Sequence, residues 1–239
     1  MKILVSAFML GVIFGILSSI LFLIIFPNVS TFTREQMPLS TMFQIFIMNS
    51  FLATLICYGG IFFSLAELKL SKFSRVYRMI DKTVDPLYFI LERIFKQYKK
   101  LGSLYRTLYF SLSFFSIGCI FVIGFLISFY FSIFFKLTDI GINLLVKSLP
   151  HLILEISVFI ISADTAQKIS HTLRKYVIQK KVKEFKKESI KLLKNRKIWM
   201  KLSILYFVLF FSAIIERFFI TFWSVLLEMF LIRNNCLRR

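Results

Sequence analysis

Two titratable residues stand one helical turn apart inside a segment that is otherwise apolar enough for a membrane. The stretch PHLILEISVFIISAD carries His151 and Glu155 four positions apart. On a helix this spacing puts an imidazole and a carboxylate on one face. Together they could exchange a proton, bind an ion or fasten one helix to another.

Two other apolar runs carry polar groups, Asn49 in one and Glu216 with Arg217 in the other. With a rise of about 1.5 Å per residue, Asn49 lies about 12 Å and Glu155 about 8 Å below the outer surface of the membrane core. The last apolar run enters the membrane core from the inside. Glu216 on this run lies about 8 Å below the same outer surface of a core about 30 Å thick. Because an isolated charge at a helix centre costs about 2.5–3.5 kcal/mol, we expect these residues and His151 to converge. Arg217 or His151 would compensate at least one carboxylate, and Asn49 could supply hydrogen-bond donors.

Three interpretations of such a cluster stay open. It could be a clamp that fixes helix packing, a lined cavity for a proton, an ion or a lipid headgroup, or a hydrolytic site. The pair His151 and Glu155 lacks a third ligand and an evident nucleophile, and no protease or hydrolase motif accompanies it. The sequence therefore favours a protein that is not an enzyme and needs neither cofactor nor metal.

The composition places the chain in a membrane. It is 58% hydrophobic, has a mean hydropathy of +0.78 and contains 31 phenylalanines among 239 residues, whereas soluble domains are about 45–50% apolar. The net charge of +19 is not accompanied by any nucleic-acid-binding motif, so nucleic acid is not an expected partner. Cys57, Cys119 and Cys236 are too far apart for a disulfide or zinc pattern.

Five apolar runs predict an all-α membrane protein, a bundle of about five transmembrane helices forming a single domain over 1–239. Pro150 is expected to be the first residue of the fourth span, since its missing N–H costs nothing there, with residues 138–148 as an interfacial piece. Small residues at Gly11, Gly15, Gly59 and Gly60 would let helices approach closely. The predicted spans are 3–26, 41–66, 107–135, 149–167 and 202–227.

The distribution of basic residues predicts the orientation. Segments 67–106 and 168–201 hold 23 of the 31 Lys and Arg residues, and cytoplasmic loops carry the excess of such residues. We therefore expect a cell-membrane protein with its N-terminus in the cytoplasm and, with five spans, its C-terminus outside. The alternative folds the last run back at Glu216–Arg217 and returns the C-terminus to the cytoplasm.

Within these basic segments, apolar residues recur at helical spacing in 86–101 and 169–190. Both are predicted to be basic amphipathic cytoplasmic helices. One interpretation is attraction to the anionic lipids of the inner leaflet, worth about 1 kcal/mol per Lys or Arg near the surface. The other is that the positive charge only enforces topology.

In the blocks around Asn49, around His151 and Glu155, and around Glu216, the chain resembles the stage II sporulation protein M family of integral membrane proteins. Leu152 stands where that family usually has glycine, and Ser50 where it often has a second asparagine; the asparagine–glycine motif that the family carries after its second span is absent. Three blocks carry the resemblance, containing Pro150, His151 and Glu155, then Asn49 with Gly59 or Gly60, then Ala213 and Glu216.

The resemblance implies a multi-pass membrane scaffold or assembly protein, which in spore-forming bacteria works with secreted-side peptidoglycan hydrolases. A small transporter or lipid-handling protein built around the polar cluster is the alternative. The expected partners are the bilayer, its anionic inner-leaflet lipids and other membrane or secreted-side proteins, and an oligomer is compatible with the sequence. Neighbouring genes for cell-wall hydrolases, as opposed to transport or lipid synthesis, would distinguish the two.

Overall fold

The computed structural model describes residues 1–25, 39–71, 101–137 and 141–236, and within these ranges every regular element is a helix. The fold agrees with the predicted all-α membrane class. The six helices are α1 Lys2–Ile25, α2 Leu39–Leu70, α3 Ser103–Leu137, α4 Gly141–Ile178, α5 Val182–Leu193 and α6 Arg196–Cys236.

Four of the described helices are long and apolar enough to cross a membrane. Their spanning parts are Lys2–Phe22, Met42–Leu70, Leu104–Phe129 and Arg196–Glu216. The predicted span 149–167 lies within α4, which is not among the four, so the count differs by one from the predicted five. Pro150, His151, Glu155 and Asp164 make this stretch less apolar than the four spans.

The predicted start of α4 was wrong. Pro150 does not begin the helix but lies inside it, because the helix already starts at Gly141. Residues 141–148, predicted to be a separate interfacial piece, therefore belong to the same helix. Proline removes one backbone N–H from a helix interior, yet membrane helices tolerate it where neighbouring groups satisfy the freed carbonyl.

Helix α3 packs against α1, α2 and α4, and α4 packs in turn against α2 and α6. Helix α1 lies at the edge of this bundle and touches mainly α3. A single stripe of α1 is buried, while many of its other large side chains, such as Met9 and Leu17, are more than half exposed. In a membrane protein these exposed apolar faces meet lipid. The buried stripe consists of Leu4, Ala7, Gly11, Gly15 and Ser19.

Of the two predicted basic helices, the structure describes 169–190, which differs from the expectation of a simple surface helix. Residues 86–100 lie outside the described residues. Segment 169–190 is divided between α4 and α5 by a break at 179–181, where Lys180 has a φ of 58°. Several of its apolar positions are covered by protein, since Ile169, Leu173 and Phe185 belong to the buried core. Their periodicity therefore reflects packing on the bundle, while Ile178 and Ile190 are exposed.

The last helix does not turn back. Helix α6 continues through Glu216–Arg217 to Cys236 as one element, so the folded-back alternative for the last run is not seen in the backbone. The side to which its end projects stays a prediction.

Candidate functional site

Asn49 and Glu155 connect α2 to α4. The Asn49 amide Nδ2 donates a hydrogen bond of 2.6 Å to the Glu155 carboxylate Oε1. These residues lie 106 positions apart in the chain, and both were placed at similar depth from the sequence. An amide donor on a carboxylate is a charge-assisted hydrogen bond, the stronger class of such contacts.

His151 and Glu216 connect α4 to α6. The imidazole Nε2 lies 3.8 Å from Glu216 Oε1, and both side chains are only about a tenth exposed, at 11% and 12%. Ser212, one turn before Glu216, donates its hydroxyl to the backbone carbonyl of His151 at 3.0 Å. The same face of α6 therefore contacts His151 twice, once through its backbone and once through its ring.

The two halves of the cluster are adjacent. The carboxylates of Glu155 and Glu216 interact electrostatically with each other. Although His151 and Glu155 share a face of α4, the histidine is directed to α6 and the glutamate to α2. The structure thus brings together Asn49, His151, Glu155 and Glu216, whereas the side chain of Arg217 lies outside the described residues and its compensating role stays a prediction.

The glycines predicted to aid packing lie at contacts with α3. A Cβ added to Gly11 would overlap the carbonyl oxygen of Phe121, and one added to Gly15 would meet the Ser128 hydroxyl. A Cβ at Gly59 would overlap the ring of Phe115, and one at Gly60 would lie 3.2 Å from the carbonyl oxygen of Ser111. These positions bring helices together and are distinct from the polar cluster.

Other polar contacts between helices escaped the sequence reasoning. Gln167 of α4 donates to the Ser116 hydroxyl of α3 at 2.7 Å and to the Ser113 carbonyl at 3.0 Å. Thr54 of α2 and Tyr206 of α6 share a hydrogen bond of 2.5 Å between their hydroxyls. A single polar residue within or at the end of an apolar run could have indicated such a contact. The sequence alone does not reveal which residue it would contact.

Three further ion-pair and hydrogen-bond contacts lie toward the basic side of the bundle. The carboxylate of Asp164 on α4 forms an ion pair of 2.6 Å with the Lys168 ammonium and lies 3.9 Å from the N-terminal amine of Met1. Glu67 of α2, which the sequence placed in a basic segment, accepts a 2.8 Å hydrogen bond from Ser111 of α3. Asp164 therefore links α4 to the N-terminus of the chain, and Glu67 links α2 to α3.

The chemistry that this arrangement supports is association between helices within a bilayer. Within the described ranges, no three His, Cys, Asp or Glu side chains come together as a metal site. The long apolar helices, with their polar groups paired across the bundle, define a polytopic α-helical membrane protein.

Comparison with known protein families identifies the group. The chain belongs to the stage II sporulation protein M family, whose model matches residues 86–221. That range contains His151, Glu155 and Glu216, whereas Asn49 precedes it. No curated protein and no solved structure matches the chain.

Proposed function

We propose that this chain is a non-enzymatic scaffold of the cell membrane, whose polar cluster holds the helices that carry its partner-binding surfaces. The observation that carries the proposal is the pairing of Asn49 with Glu155 and of His151 with Glu216 across three helices. Polar groups that satisfy one another lower the cost of placing them in lipid. They act as links within the protein, which is what a clamp requires.

The proposed orientation places the N-terminus in the cytoplasm. The Met1 amine lies 3.9 Å from Asp164, which also pairs with Lys168 at the start of a strongly basic segment. The N-terminus therefore lies on the same side of the bundle as segment 168–201, with its 13 Lys and Arg residues. Such an excess of basic residues favours the cytoplasmic side.

The partners proposed for the scaffold are other membrane or secreted-side proteins. Membership of the family supports this choice, because the family resemblance implies a role in assembly with such proteins. The bilayer itself is the second partner, since many large side chains of α1 are exposed and apolar.

The clamp is tested by two substitutions made singly and together, Glu155→Gln and Glu216→Gln. We expect each to reduce the folded fraction of the full chain in mild detergent, measured by size-exclusion chromatography and by loss of helicity in SDS. Because the two carboxylates interact, the combined effect should depart from the sum by about 0.5–3 kcal/mol. Glu184→Gln on the exposed surface of α5 is the matched control and should leave stability unchanged.

The same variants separate the scaffold from a transport protein. A scaffold that loses its clamp should also lose proteins cross-linked to it in cells, in proportion to the unfolded fraction. Normal folding of both variants, with additive effects near zero, would refute the clamp and leave the cluster available for an ion or substrate.

A further inference from the structure

A groove opens beside the basic end of α4. It has a volume of about 500 Å³, within the range of about 300–1,000 Å³ of sites for small ligands. Among the residues that the structure describes, Tyr109 of α3 is the only lining residue from outside α4. The lining residues are Tyr109, His171, Thr172, Arg174, Lys175 and Ile178.

The groove lies at the depth of lipid headgroups. The apolar span of α3 begins at Leu104, and Tyr109 follows five residues later, about 7–8 Å along the helix. On α4, the groove residues come after Lys168 and extend to the last residue of the helix, Ile178. They therefore lie where the apolar part of the bundle gives way to the basic segment.

The groove contains two cations without a counter-charge among the described side chains. Arg174 makes a long 3.4 Å hydrogen bond to the Ser113 hydroxyl, and its guanidinium lies 5.8 Å from the centre of the Tyr109 ring. Lys175 is exposed, and its ammonium lies 5.0 Å from the Tyr176 ring. Neither is paired with a carboxylate in the part of the chain that the structure describes, so both retain the capacity to bind an anion.

The remaining lining makes the groove amphiphilic. Ile178 is 42% exposed, and the Tyr109 ring forms an apolar wall beside Arg174. A phosphate group suits the cations, because Arg and Lys are the usual partners of phosphate oxygens. The apolar wall suits the glycerol and first acyl carbons that a lipid carries and that a free phosphate lacks.

We propose that this groove binds the phosphate group of an anionic membrane lipid, with Arg174 and Lys175 as the anion ligands. This site is separate from the polar cluster, which lies nearer the other end of α4. The proposal depends on the membrane location of the chain and is independent of the clamp, so each can fail without the other.

The test uses the full chain in mild detergent and counts bound lipid by native mass spectrometry. Short-chain phosphatidylglycerol is the anionic probe, short-chain phosphatidylcholine is the zwitterionic probe, and inorganic phosphate is the headgroup without a lipid. We expect phosphatidylglycerol to bind at one saturable site and to outcompete the other two. Arg174→Gln combined with Lys175→Gln should weaken phosphatidylglycerol binding about a hundredfold or more, since each of the two charged hydrogen bonds removed accounts for about tenfold or more.

The matched control removes the same charge from another exposed surface, through Lys186→Gln and Lys187→Gln on α5. It should change binding less than about twofold, because monomeric lipid in detergent carries no surface potential. Equal weakening of phosphatidylglycerol binding by the two pairs of substitutions would show nonspecific electrostatic attraction and overturn the proposal. Tighter binding of inorganic phosphate than of phosphatidylglycerol would assign the groove to a free phosphate instead.

A folding defect would not obscure the result. Lys175→Glu alone alters an exposed side chain and reverses the charge in the groove, and Lys187→Glu is its control. Undiminished phosphatidylglycerol binding by a folded Lys175→Glu variant would also overturn the proposal.

Discussion

The close contact between α1 and α3 gives the sharpest stability prediction, through a glycine of α3. A Cβ added to Gly124 would overlap the carbonyl oxygen of Phe8 on α1 and lie 3.2 Å from its carbonyl carbon. Because backbone atoms cannot rotate away as a side chain can, Gly124→Ala must push α1 away from α3. At Gly118, six residues earlier on the same helix, an added Cβ would meet no atom of another described helix within 4 Å, and Gly118→Ala is therefore a matched control.

The magnitude follows from two opposing effects. Replacing glycine with alanine within a helix gains about 0.8–1.0 kcal/mol of helix propensity at either site. Overpacking costs about 1–3 kcal/mol, and only Gly124→Ala incurs it. We therefore expect the two variants to differ by about 1–3 kcal/mol in the free energy of unfolding, with Gly124→Ala the less stable.

The assay is unfolding of the full chain from mild detergent by increasing mole fractions of SDS, followed by far-ultraviolet circular dichroism. Comparing the two alanine variants removes the propensity term, so their difference reports the interface alone. Equal midpoints for the two variants, or a more stable Gly124→Ala, would refute the close approach of α1 and α3.

Two other predictions concern topology and the contact between α2 and α6. With the N-terminus inside and five spans, Cys236 should react with a membrane-impermeant thiol reagent on intact cells while the other two cysteines stay protected; labelling only after permeabilisation would place the C-terminus in the cytoplasm. Tyr206→Phe removes the hydroxyl bonded to Thr54 and should destabilise the chain by about 0.6 kcal/mol, the average for such bonds in a membrane protein. Tyr105→Phe, which removes only an exposed 3.3 Å bond to the carbonyl of Lys180, should change the same SDS midpoint less.

The sequence was most informative about the apolar helices, because length and apolar composition suffice to define a membrane span. The run 3–26 lies almost entirely on α1, and 107–135 lies within α3. The start of α4 was mistaken because Pro150 is equally compatible with a helix start and with a helix interior in lipid. The local sequence at that point does not distinguish the two.

The depth of the polar residues was accessible from the sequence, but their pairing was not. Rise per residue fixes how far along a helix Asn49, Glu155 and Glu216 lie. Partner choice depends on how each helix is rotated about its axis, and contacts between distant segments decide that rotation. Hence the matched depths predicted that these residues converge, but not that Asn49 donates to Glu155 while His151 lies beside Glu216.

The position of α4 explains why an imidazole and carboxylates occur in an otherwise apolar segment. It is the least apolar of the long helices in its spanning part, and it contacts each of the other helices that cross the bundle. Its polar residues are each directed to a different neighbour: Glu155 to α2, His151 to α6, Gln167 to α3 and Asp164 to the N-terminus of α1. Since lipid cannot satisfy such groups, a helix with this pattern is stable only when surrounded by protein. The polarity of α4 therefore specifies its position in the bundle, and the more uniformly apolar α1 is left at the edge.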